Sequence, residues 1–316
     1  MLAVCLIRGA VVIRDDPRPR RPKGFALIRL LCGGICNTDI ELQRGYYRFQ
    51  GIPGHEFVGE VVAAEDAKWV GKRVVGEINL ACGKCEWCRR GLRRHCPKRT
   101  VLGIVKHPGA FREFLTLPEA NLHEVPREIP NEHAVFIEPL AAACEILDQV
   151  KIPKNAEVAV LGDGKLGLLV AQVLKAHGAC IHQYGRHKEK LKIAASAGIE
   201  ARFAKKLPAA QYDWVVDATG SSAGVWEAVR MTRPRGTVIM KSTVHATTVI
   251  DAPAVVVNEI TLVGSRCGRF EPALRLLKSG RVQVSDMISD VFPLKRAPQA
   301  FKAAATRGAL KVLLHA

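Results

Sequence analysis

Long apolar runs are absent from this 316-residue sequence. No stretch reaches the roughly 20 apolar residues that a membrane-spanning helix needs, so we expect no membrane partner. The opening segment, MLAVCLIRGAVVIRDD, has neither a basic leader nor a cleavage site of small residues, and it predicts a first pair of strands instead of a signal peptide. Low-complexity tracts and internal repeats are missing as well. These absences indicate a globular protein, and its length allows two domains with their own cores.

Acidic residues are few compared with basic ones, since 30 Asp and Glu stand against 47 Lys and Arg, for a formal net charge of +17. A basic chain can bind nucleic acid, but here the basic residues are spread along the whole sequence and no nucleic-acid motif accompanies them. We therefore expect no primary role in nucleic-acid binding, although the positive field would favour an anionic cofactor.

The ten cysteines do not indicate a disulfide framework, which is typical of small secreted domains. Four of them lie in the stretch ACGKCEWCRRGLRRHC, residues 81–96. In a chain of this length such spacing favours metal ligation in a reducing compartment, so we expect a cytoplasmic protein.

The cysteine cluster consists of four thiols that would fill every position around a tetrahedral zinc ion: Cys82, Cys85, Cys88 and Cys96. A closed site of this kind is structural, because catalytic zinc keeps one position open for water or substrate. An iron–sulfur cluster is the alternative, since Cys96-Pro97 resembles the end of a ferredoxin motif. That motif has about three residues before its last cysteine, and the seven here are too many. The cluster therefore predicts structural zinc, with the reaction elsewhere.

The pattern of predicted secondary structure changes near residue 151. The first 80 residues have the pattern of short strands broken by Gly and Pro, which is typical of an irregular β-barrel, whereas from residue 156 apolar strands alternate with helices. Such alternation predicts a parallel sheet covered by helices on both faces, a doubly wound α/β fold. We predict a β-rich domain, a doubly wound α/β domain and a C-terminal segment over residues 1–150, 151–268 and 269–316.

The segment LGDGKLG, residues 161–167, matches the dinucleotide-binding pattern G-x-G-x-x-G through Gly162, Gly164 and Gly167. It follows an apolar strand and opens a helix, which is the setting that this pattern requires. The first glycine permits a tight turn, the second lets the backbone approach a pyrophosphate, and the third lets helix and strand pack closely. The free N–H groups of the helix start then face the diphosphate. Further cofactor contacts are expected from the intervening residues Asp163, Lys165 and Leu166.

The end of the second strand of this domain indicates which cofactor is bound. In NAD sites an acid stands about 20 residues past the fingerprint and binds the ribose 2′-hydroxyl. Here Gly185 takes that position, so a 2′-phosphate would meet no repulsion, and Arg186 can pair with it. The sequence therefore predicts NADP over NAD, the alternative being that these charges only lie on the surface at a helix start. The other predicted contacts in this stretch are His187 and Lys190.

Several motifs occur in one order along the chain: GGICNTDI (33–40), PGHEFVGE (53–60), the cysteine cluster, EPLAAA (138–143) and LGDGKLG. Through them the chain resembles the zinc-dependent medium-chain alcohol dehydrogenase family, in its sorbitol, threonine and glucose dehydrogenase branch. The resemblance covers essentially the full chain. It implies a chaperonin-10-like β-barrel catalytic domain, interrupted by a Rossmann nucleotide domain and completed by the C-terminal segment, in a homodimer or homotetramer.

The resemblance also implies a catalytic zinc ion with an open position. Cys36 and His55 are the expected ligands, and a thiolate and an imidazole together with a carboxylate suit such a site. Two carboxylates stay open as the third ligand, Glu56 beside the histidine and Glu138 of the EPL motif, and they can exchange during turnover. Asp39 is expected to hold the second ring nitrogen of His55 and so to fix its tautomer.

The implied reaction is reversible hydride transfer from an alcohol or polyol at the zinc ion to nicotinamide, giving a ketone or aldehyde. Thr38 matches the hydroxyl that relays the alcohol proton, and Glu41 stands where the next relay group is often histidine. Asn37 matches a contact to the cofactor diphosphate. The segments KSTVHA (241–246) and GSRCG (264–268) follow later strands, at the sheet edge where α/β folds bind ligands. Around that edge we expect cofactor contacts from Thr219, Ser242 and Arg266.

Two rival functions are compatible with parts of this pattern. A zinc-free quinone or enoyl reductase that uses NADPH shares the scaffold, but such relatives lack the ligands at positions 36 and 55 and the cysteine cluster. A non-catalytic, zinc-stabilised protein that binds nucleic acid would show salt-dependent binding and no hydride transfer. The dehydrogenase interpretation, with a small alcohol or carbonyl compound as substrate, explains more of the motifs.

Overall fold

The structure is a computed structural model that describes residues 1–243 and 248–316. Within these residues the chain forms two compact units, one of residues 1–138 and 288–316 and the other of residues 139–287. The sequence-based domain boundaries, after residues 150 and 268, divide the chain at other positions and stay a prediction. The last three residues of the predicted segment KSTVHA lie outside the described residues.

The strands of the described residues are numbered in chain order: β1 (Leu2–Ile7), β2 (Ala10–Asp15), β3 (Phe25–Ile35), β4 (Glu56–Ala63), β5 (Arg73–Gly76), β6 (Asn79–Leu80), β7 (Thr100–Leu102), β8 (Lys106–His107), β9 (Phe114–Pro118), β10 (Leu122–Glu124), β11 (Glu157–Leu161), β12 (Cys180–Gly185), β13 (Glu200–Phe203), β14 (Tyr212–Asp217), β15 (Thr232–Met240), β16 (Thr261–Gly264), β17 (Ile288–Pro293) and β18 (Lys311–His315). The α-helices of the same residues are α1 (Asn37–Gln43), α2 (Glu86–Arg89), α3 (Asn131–Ala134), α4 (Ile137–Gln149), α5 (Lys165–His177), α6 (Lys188–Ser196), α7 (Gly224–Met231), α8 (Ala252–Val257), α9 (Phe270–Lys278) and α10 (Ala297–Ala304). Among these helices none combines the length and apolar character that crossing a bilayer requires.

The first unit is built on a seven-stranded sheet in the order β10-β5-β4-β3-β18-β17, with β9 also pairing with β3. The long strand β3 serves two partners on one side, because β9 pairs with its first half and β18 with its last residues. Two register shifts interrupt the antiparallel β3–β4 pairing, and such irregularities bend a sheet. The predicted irregular β-structure of this part of the chain is confirmed.

The C-terminal strand β18 is part of the core of the first unit. Val312, Leu313 and Leu314 have no exposed surface, and Leu313 pairs with Gly34 of β3. Gly34 pairs on its other side with Glu56, the first residue of β4. The last strand therefore docks on β3, the strand that ends in the GGIC motif, and β3 separates it from β4.

The second unit contains a parallel six-stranded sheet in the order β13-β12-β11-β14-β15-β16. Counted from its own first strand, this is the order 3-2-1-4-5-6 of dinucleotide-binding folds. Helices α5, α6 and α7 each connect neighbouring elements of this sheet. The predicted doubly wound fold is confirmed, and the carboxyl ends of β11, β12, β14 and β15 meet at one edge.

A buried polar network joins three strands of this sheet. The hydroxyl oxygens of Tyr184 and Tyr212 lie 2.7 Å apart, and Arg202 donates to both at 2.9 and 3.0 Å. Nδ1 of His182 lies 2.9 Å from the Tyr212 hydroxyl. Burial raises the pKa of Tyr212, so its hydroxyl keeps its proton and can both donate and accept.

Candidate metal centres and cofactor site

The four cysteines of the cluster converge at distances that suit zinc. The Sγ–Sγ distances are 3.5 Å for Cys85–Cys88, 3.6 Å for Cys82–Cys96, 3.7 Å for Cys85–Cys96 and 4.0 Å for Cys82–Cys88. Four Zn–S bonds of about 2.3 Å place tetrahedral sulfur atoms about 3.8 Å apart. All four distances are far longer than a disulfide bond, so the donor set fits a zinc ion with no open position.

Local structure explains this convergence. Helix α2 begins directly after Cys85 and turns Cys88 back toward it, and a 3-10 helix, Arg93–His95, delivers Cys96. The backbone N–H groups of Lys84 and Cys85 lower the pKa of the Cys82 thiol, which favours the thiolate that binds metal.

A second group of possible ligands consists of Cys36, His55 and Glu56, whose donor atoms all lie within 4.8 Å of one another. Cys36 stands between β3 and α1, His55 directly precedes β4, and Glu56 is the first residue of that strand. The antiparallel pairing of β3 with β4 brings the GGIC and GHE motifs together. One sulfur, one nitrogen and one oxygen donor fit a catalytic zinc ion, which keeps a position open.

Asp39 connects the two segments that carry these ligands. It has no exposed surface; its Oδ2 accepts the Cys36 N–H at 2.8 Å and its Oδ1 accepts the Gly54 N–H at 3.1 Å. Nδ1 of His55 lies 3.5 Å from Oδ1 of Asp39 and has no hydrogen-bond partner in the described part of the chain. Since Nδ1 faces Asp39, Nε2 is the nitrogen that remains for a metal ion.

Lys311 is a residue of this site that the motifs do not contain. Its Nζ forms a buried ion pair with Oε2 of Glu56, and both side chains are 1% exposed. Burial lowers the pKa of Lys311, but the charges of Glu56, Cys36 and Glu138 and the hydrogen bond to Glu56 together raise it more, so the ammonium group stays charged. A lysine inside the apolar segment ALKVLLHA is the signal in the sequence that could have indicated a buried partner.

The other residues predicted for this region are Glu138 and Thr38 at the catalytic centre, Glu41 at the outer relay position and Asn37 at the cofactor. Glu138, the second residue of α4, is half-buried and is not one of the three convergent ligands, although its charge contributes to the raised pKa of Lys311. The Thr38 hydroxyl lies 3.8 Å from Sγ of Cys36. Glu41 is ion-paired with Arg44 at 2.8 Å, and Asn37 is exposed at the start of α1.

The fingerprint glycines have the conformations and contacts that the motif predicts. Gly162 has a φ of 119°, and a Cβ there would lie 2.5 Å from the carbonyl oxygen of Ala218. A Cβ on Gly167 would overlap the carbonyl oxygen of Gly162. Gly164, the N-cap of α5, has no atom within 4 Å of its Cβ position, so the backbone there is open to the close approach of a pyrophosphate. Lys165 and Leu166 form the first residues of that helix.

The residues after β12 are organised by the fingerprint loop. Asp163 accepts the backbone N–H groups of Arg186 and His187, both at 2.7 Å. Gly185 is buried, Arg186 is exposed, and Lys190 is half-buried in α6. The structure thus brings three of the predicted cofactor residues, Gly185, Arg186 and His187, against Asp163 of the glycine-rich loop.

The remaining predicted contacts lie at later strand ends. Thr219 donates its N–H and hydroxyl to Oδ1 of Asp217 at 3.0 and 2.8 Å, and Ser242 accepts the Gly220 N–H at 2.9 Å. Arg266 is exposed beyond β16. Sequence reasoning missed Gln183, whose amide donates to the Gly162 carbonyl at 3.0 Å, because a polar residue inside a strand has no place in the fingerprint.

Comparison with known proteins supports the same assignment in both halves of the chain. Residues 22–127 match the family described as "Alcohol dehydrogenase GroES-like domain", and residues 166–279 match "Zinc-binding dehydrogenase". A D-altritol 5-dehydrogenase of Agrobacterium fabrum is 34% identical over 67% of this chain and 67% of its own length. A sorbitol dehydrogenase of Halalkalibacterium halodurans is 28% identical over 97% of this chain and 96% of its own length.

A solved structure extends this likeness to the whole fold. The alcohol dehydrogenase TADH from Thermus sp. ATN1 is 30% identical in sequence and superimposes with a TM-score of 0.92, covering 100% of both chains. The GroES-like barrel and the Rossmann sheet predicted from the sequence are both confirmed. The chain belongs to the zinc-dependent medium-chain alcohol dehydrogenase family.

Proposed function

We propose that this protein transfers a hydride reversibly between the carbinol carbon of a small alcohol or polyol and a nicotinamide cofactor, giving a ketone or aldehyde. The observation that carries the proposal is the convergence of Cys36, His55 and Glu56 within 4.8 Å in a chain that also has a complete dinucleotide fingerprint. A zinc ion held there would act as a Lewis acid on the substrate oxygen and make its hydroxyl more acidic. The altritol and sorbitol dehydrogenases among the relatives support a polyol as substrate.

Cys36 and His55 are the proposed zinc ligands, and a carboxylate completes the set. Glu56 lies within ligand distance of both, but Lys311 competes for its charge, so Glu138 remains the second candidate. Glu56→Gln and Glu138→Gln separate the two carboxylates. The variant of the true ligand should lose zinc from this site, whereas the other variant should retain it.

Thr38 is the proposed first acceptor of the alcohol proton. Its Oγ1 lies 3.8 Å from the proposed ligand atom of Cys36, which places the hydroxyl beside the position that a substrate oxygen would take. A hydroxyl can accept one proton while it donates its own, so it can pass the substrate proton on to the cofactor ribose. Glu41 is engaged with Arg44, and we propose that the proton reaches solvent through water instead.

NADP is the proposed cofactor. Gly185 leaves the strand end without an acid of its own, and Arg186, with its side chain 71% exposed, is available to a phosphate. His187 and Lys190 add further basic groups just after Arg186 in the sequence. A 2′-phosphate therefore gains a charge-assisted partner here, whereas the 2′-hydroxyl of NAD lacks its usual carboxylate at residue 185.

The reaction is tested by following the absorbance of reduced nicotinamide with polyols, simple secondary alcohols and their ketones, using both cofactors. Metal analysis of the same preparation should give two zinc ions per chain, one for each cluster. Cys36→Ser should lose one zinc ion and the activity, whereas Cys180→Ser, an exposed cysteine outside both clusters, should keep both. A zinc-free protein that reduces quinones with NADPH would overturn the proposal in favour of the reductase.

A homodimer through the second unit is also proposed. Strand β16 is an edge strand that pairs only with β15 among the described strands, and its open edge can pair with another copy. Val249, Val256 and Val257 nearby in sequence are 80%, 73% and 79% exposed, which is unusual for valine. Light scattering after size exclusion tests the dimer. The four thiols of the cysteine cluster lie too far apart for disulfide bonds, which supports a reducing compartment such as the cytoplasm.

A further inference from the structure

Asp163, the variable residue between the first two fingerprint glycines, is turned into the protein. It is 7% exposed, and its Oδ2 accepts the backbone N–H groups of Arg186 and His187 at 2.7 Å each. Its Oδ1 lies 3.0 Å from Nδ1 of His187. Burial raises the pKa of Asp163, but the donors of His187 and Arg186 lower it more, so the side chain is a carboxylate.

The same carboxylate fills the space above Gly185. A Cβ on residue 185 would lie 2.5 Å from Oδ2 of Asp163 and 2.6 Å from its Cβ, which is closer than unbonded atoms approach. Residue 185 is the position at which NAD sites carry their acid. In this chain a carboxylate is therefore present near that position, but it comes from the glycine-rich loop and excludes any side chain at residue 185.

The hydrogen-bond donors of residues 186 and 187 decide whether the Asp163 carboxylate can bind a cofactor. Both Asp163 oxygens are engaged by residues 186 and 187, so this carboxylate is not presented to a ribose hydroxyl as a strand-end acid would be. The turn is held with its N–H groups inward, and the Arg186 side chain projects outward with 71% exposure. Its guanidinium makes a long ionic contact, 3.7 Å to Oε1 of Glu227, which a phosphate can displace.

We propose that Asp163 is the positioning residue for cofactor specificity in this enzyme: it takes the place of the strand-end acid and fixes residues 186–187 so that Arg186 faces the 2′-phosphate. This inference rests on the proposed preference for NADP. It makes Asp163 a second determinant of that preference, beside Arg186. It also gives a spatial rule: a side chain at position 185 is accepted only when the Asp163 carboxylate is removed.

The positioning role is tested with Asp163→Asn, which keeps the size but presents an amide in place of one acceptor oxygen. NADPH and NADH are titrated separately into the protein without substrate, and binding is followed by the fluorescence of the reduced nicotinamide. We expect the Kd for NADPH to rise about tenfold, the equivalent of one charge-assisted hydrogen bond, with little change for NADH. Tighter NADPH binding together with weaker NADH binding would overturn the proposal, because Asp163 would then act as a ribose ligand that repels phosphate.

The spatial rule is tested with Gly185→Asp alone and combined with Asp163→Ala. The single variant places two carboxylates in one space, so we expect a lower Tm and weak binding of both cofactors. The double variant should recover the Tm and bind NADH more tightly than the wild type does. A Gly185→Asp variant as stable as the wild type, or a double variant no better than the single one, would overturn the rule. Glu157→Gln, an exposed acid at the opposite end of β11, is the control and should leave both Kd values unchanged.

The two proposals fail in different ways in these experiments. A wild-type protein that binds NADH more tightly than NADPH contradicts the proposed cofactor and the specificity role of Asp163 together. If NADPH is preferred but Asp163→Asn binds it as the wild type does, the cofactor proposal stands and the positioning role falls. Circular dichroism of each variant verifies that a change in Kd is measured on folded protein.

Discussion

Replacing Lys311 with methionine tests the buried ion pair beside the proposed zinc ligands. Lys311 and Glu56 are each 1% exposed, and Nζ also lies 5.4 Å from the centre of the Phe136 ring. Methionine keeps the unbranched apolar stem and removes the charge, so Glu56 would be left as a buried carboxylate without its partner. The substitution therefore isolates the electrostatic part of the contact.

The expected loss of stability is large for a single substitution. Removing one partner of a buried ion pair costs about 3–5 kcal/mol. For a domain of roughly 150–250 residues each kcal/mol lowers Tm by about 2–4 °C, so the Tm of the metal-free protein should fall by roughly 6–20 °C. A zinc ion beside Glu56 would offset the uncompensated charge, and the loss should be smaller in the zinc-loaded protein.

The measurement is urea and thermal unfolding of the protein with chelator and with excess zinc, followed by circular dichroism. Lys295→Met, an exposed lysine of the same unit, is the matched control and should change the free energy of unfolding by less than about 0.5 kcal/mol. Glu56→Gln combined with Lys311→Met should recover most of the loss, because no charge is then buried. If the free energy of unfolding of Lys311→Met in chelator lies within about 1 kcal/mol of that of the control, Lys311 and Glu56 do not form a buried pair of charges in the wild type.

Three further substitutions test other parts of the structure. Cys88→Ser should remove one zinc ion per chain and lower Tm, as measured by metal analysis and calorimetry, since a structural site needs all four thiolates. Thr38→Val should lower turnover at least about 100-fold with zinc content and cofactor Kd unchanged, and Thr38→Ser should restore it; unchanged turnover in Thr38→Val would remove this residue from the relay. Tyr212→Phe should lower the free energy of unfolding in urea by about 1–3 kcal/mol, because it deletes a buried hydroxyl with three partners. An unchanged midpoint would show that this network contributes no stability.

Patterns confined to short segments predicted much of the fold and of the cofactor site. The alternation of strands and helices after residue 156 predicted the parallel sheet, because apolar periodicity marks each element within its own segment and a helix between two strands returns the chain in the same direction. The fingerprint glycines are specified by contacts within the loop and the next strand ends. The cysteine cluster lies between residues 82 and 96, so the spacing alone indicates that the four thiols can meet.

The parts that sequence reasoning missed depend on side chains that meet across the sheets. Lys311 and Glu56 are 255 residues apart in sequence, and no periodicity connects them. Asp163 occupies an unspecified position of the fingerprint, so the motif says nothing about where its carboxylate turns. Lys311 and Asp163 are both buried charged residues. The register of strand pairing decides which partner compensates a buried charge, and the sequence of one strand does not specify that register.

The register of strand pairing also explains why the two metal centres should respond differently to core substitutions. The four ligands of the cysteine cluster lie within one short segment, so we expect the cluster to depend less on strand pairing elsewhere in the unit. The group of Cys36, His55 and Glu56 exists only because β3 pairs with β4 so that Gly34 stands opposite Glu56, while β18 docks on the other side of Gly34. A slip of one residue in either pairing would turn Glu56 or Lys311 to the opposite face of the sheet and break the ion pair. The proposed catalytic centre is therefore a property of the central strands of the seven-stranded sheet, and core substitutions in β18 should reduce zinc binding at Cys36 and His55 before they affect the zinc of the cysteine cluster.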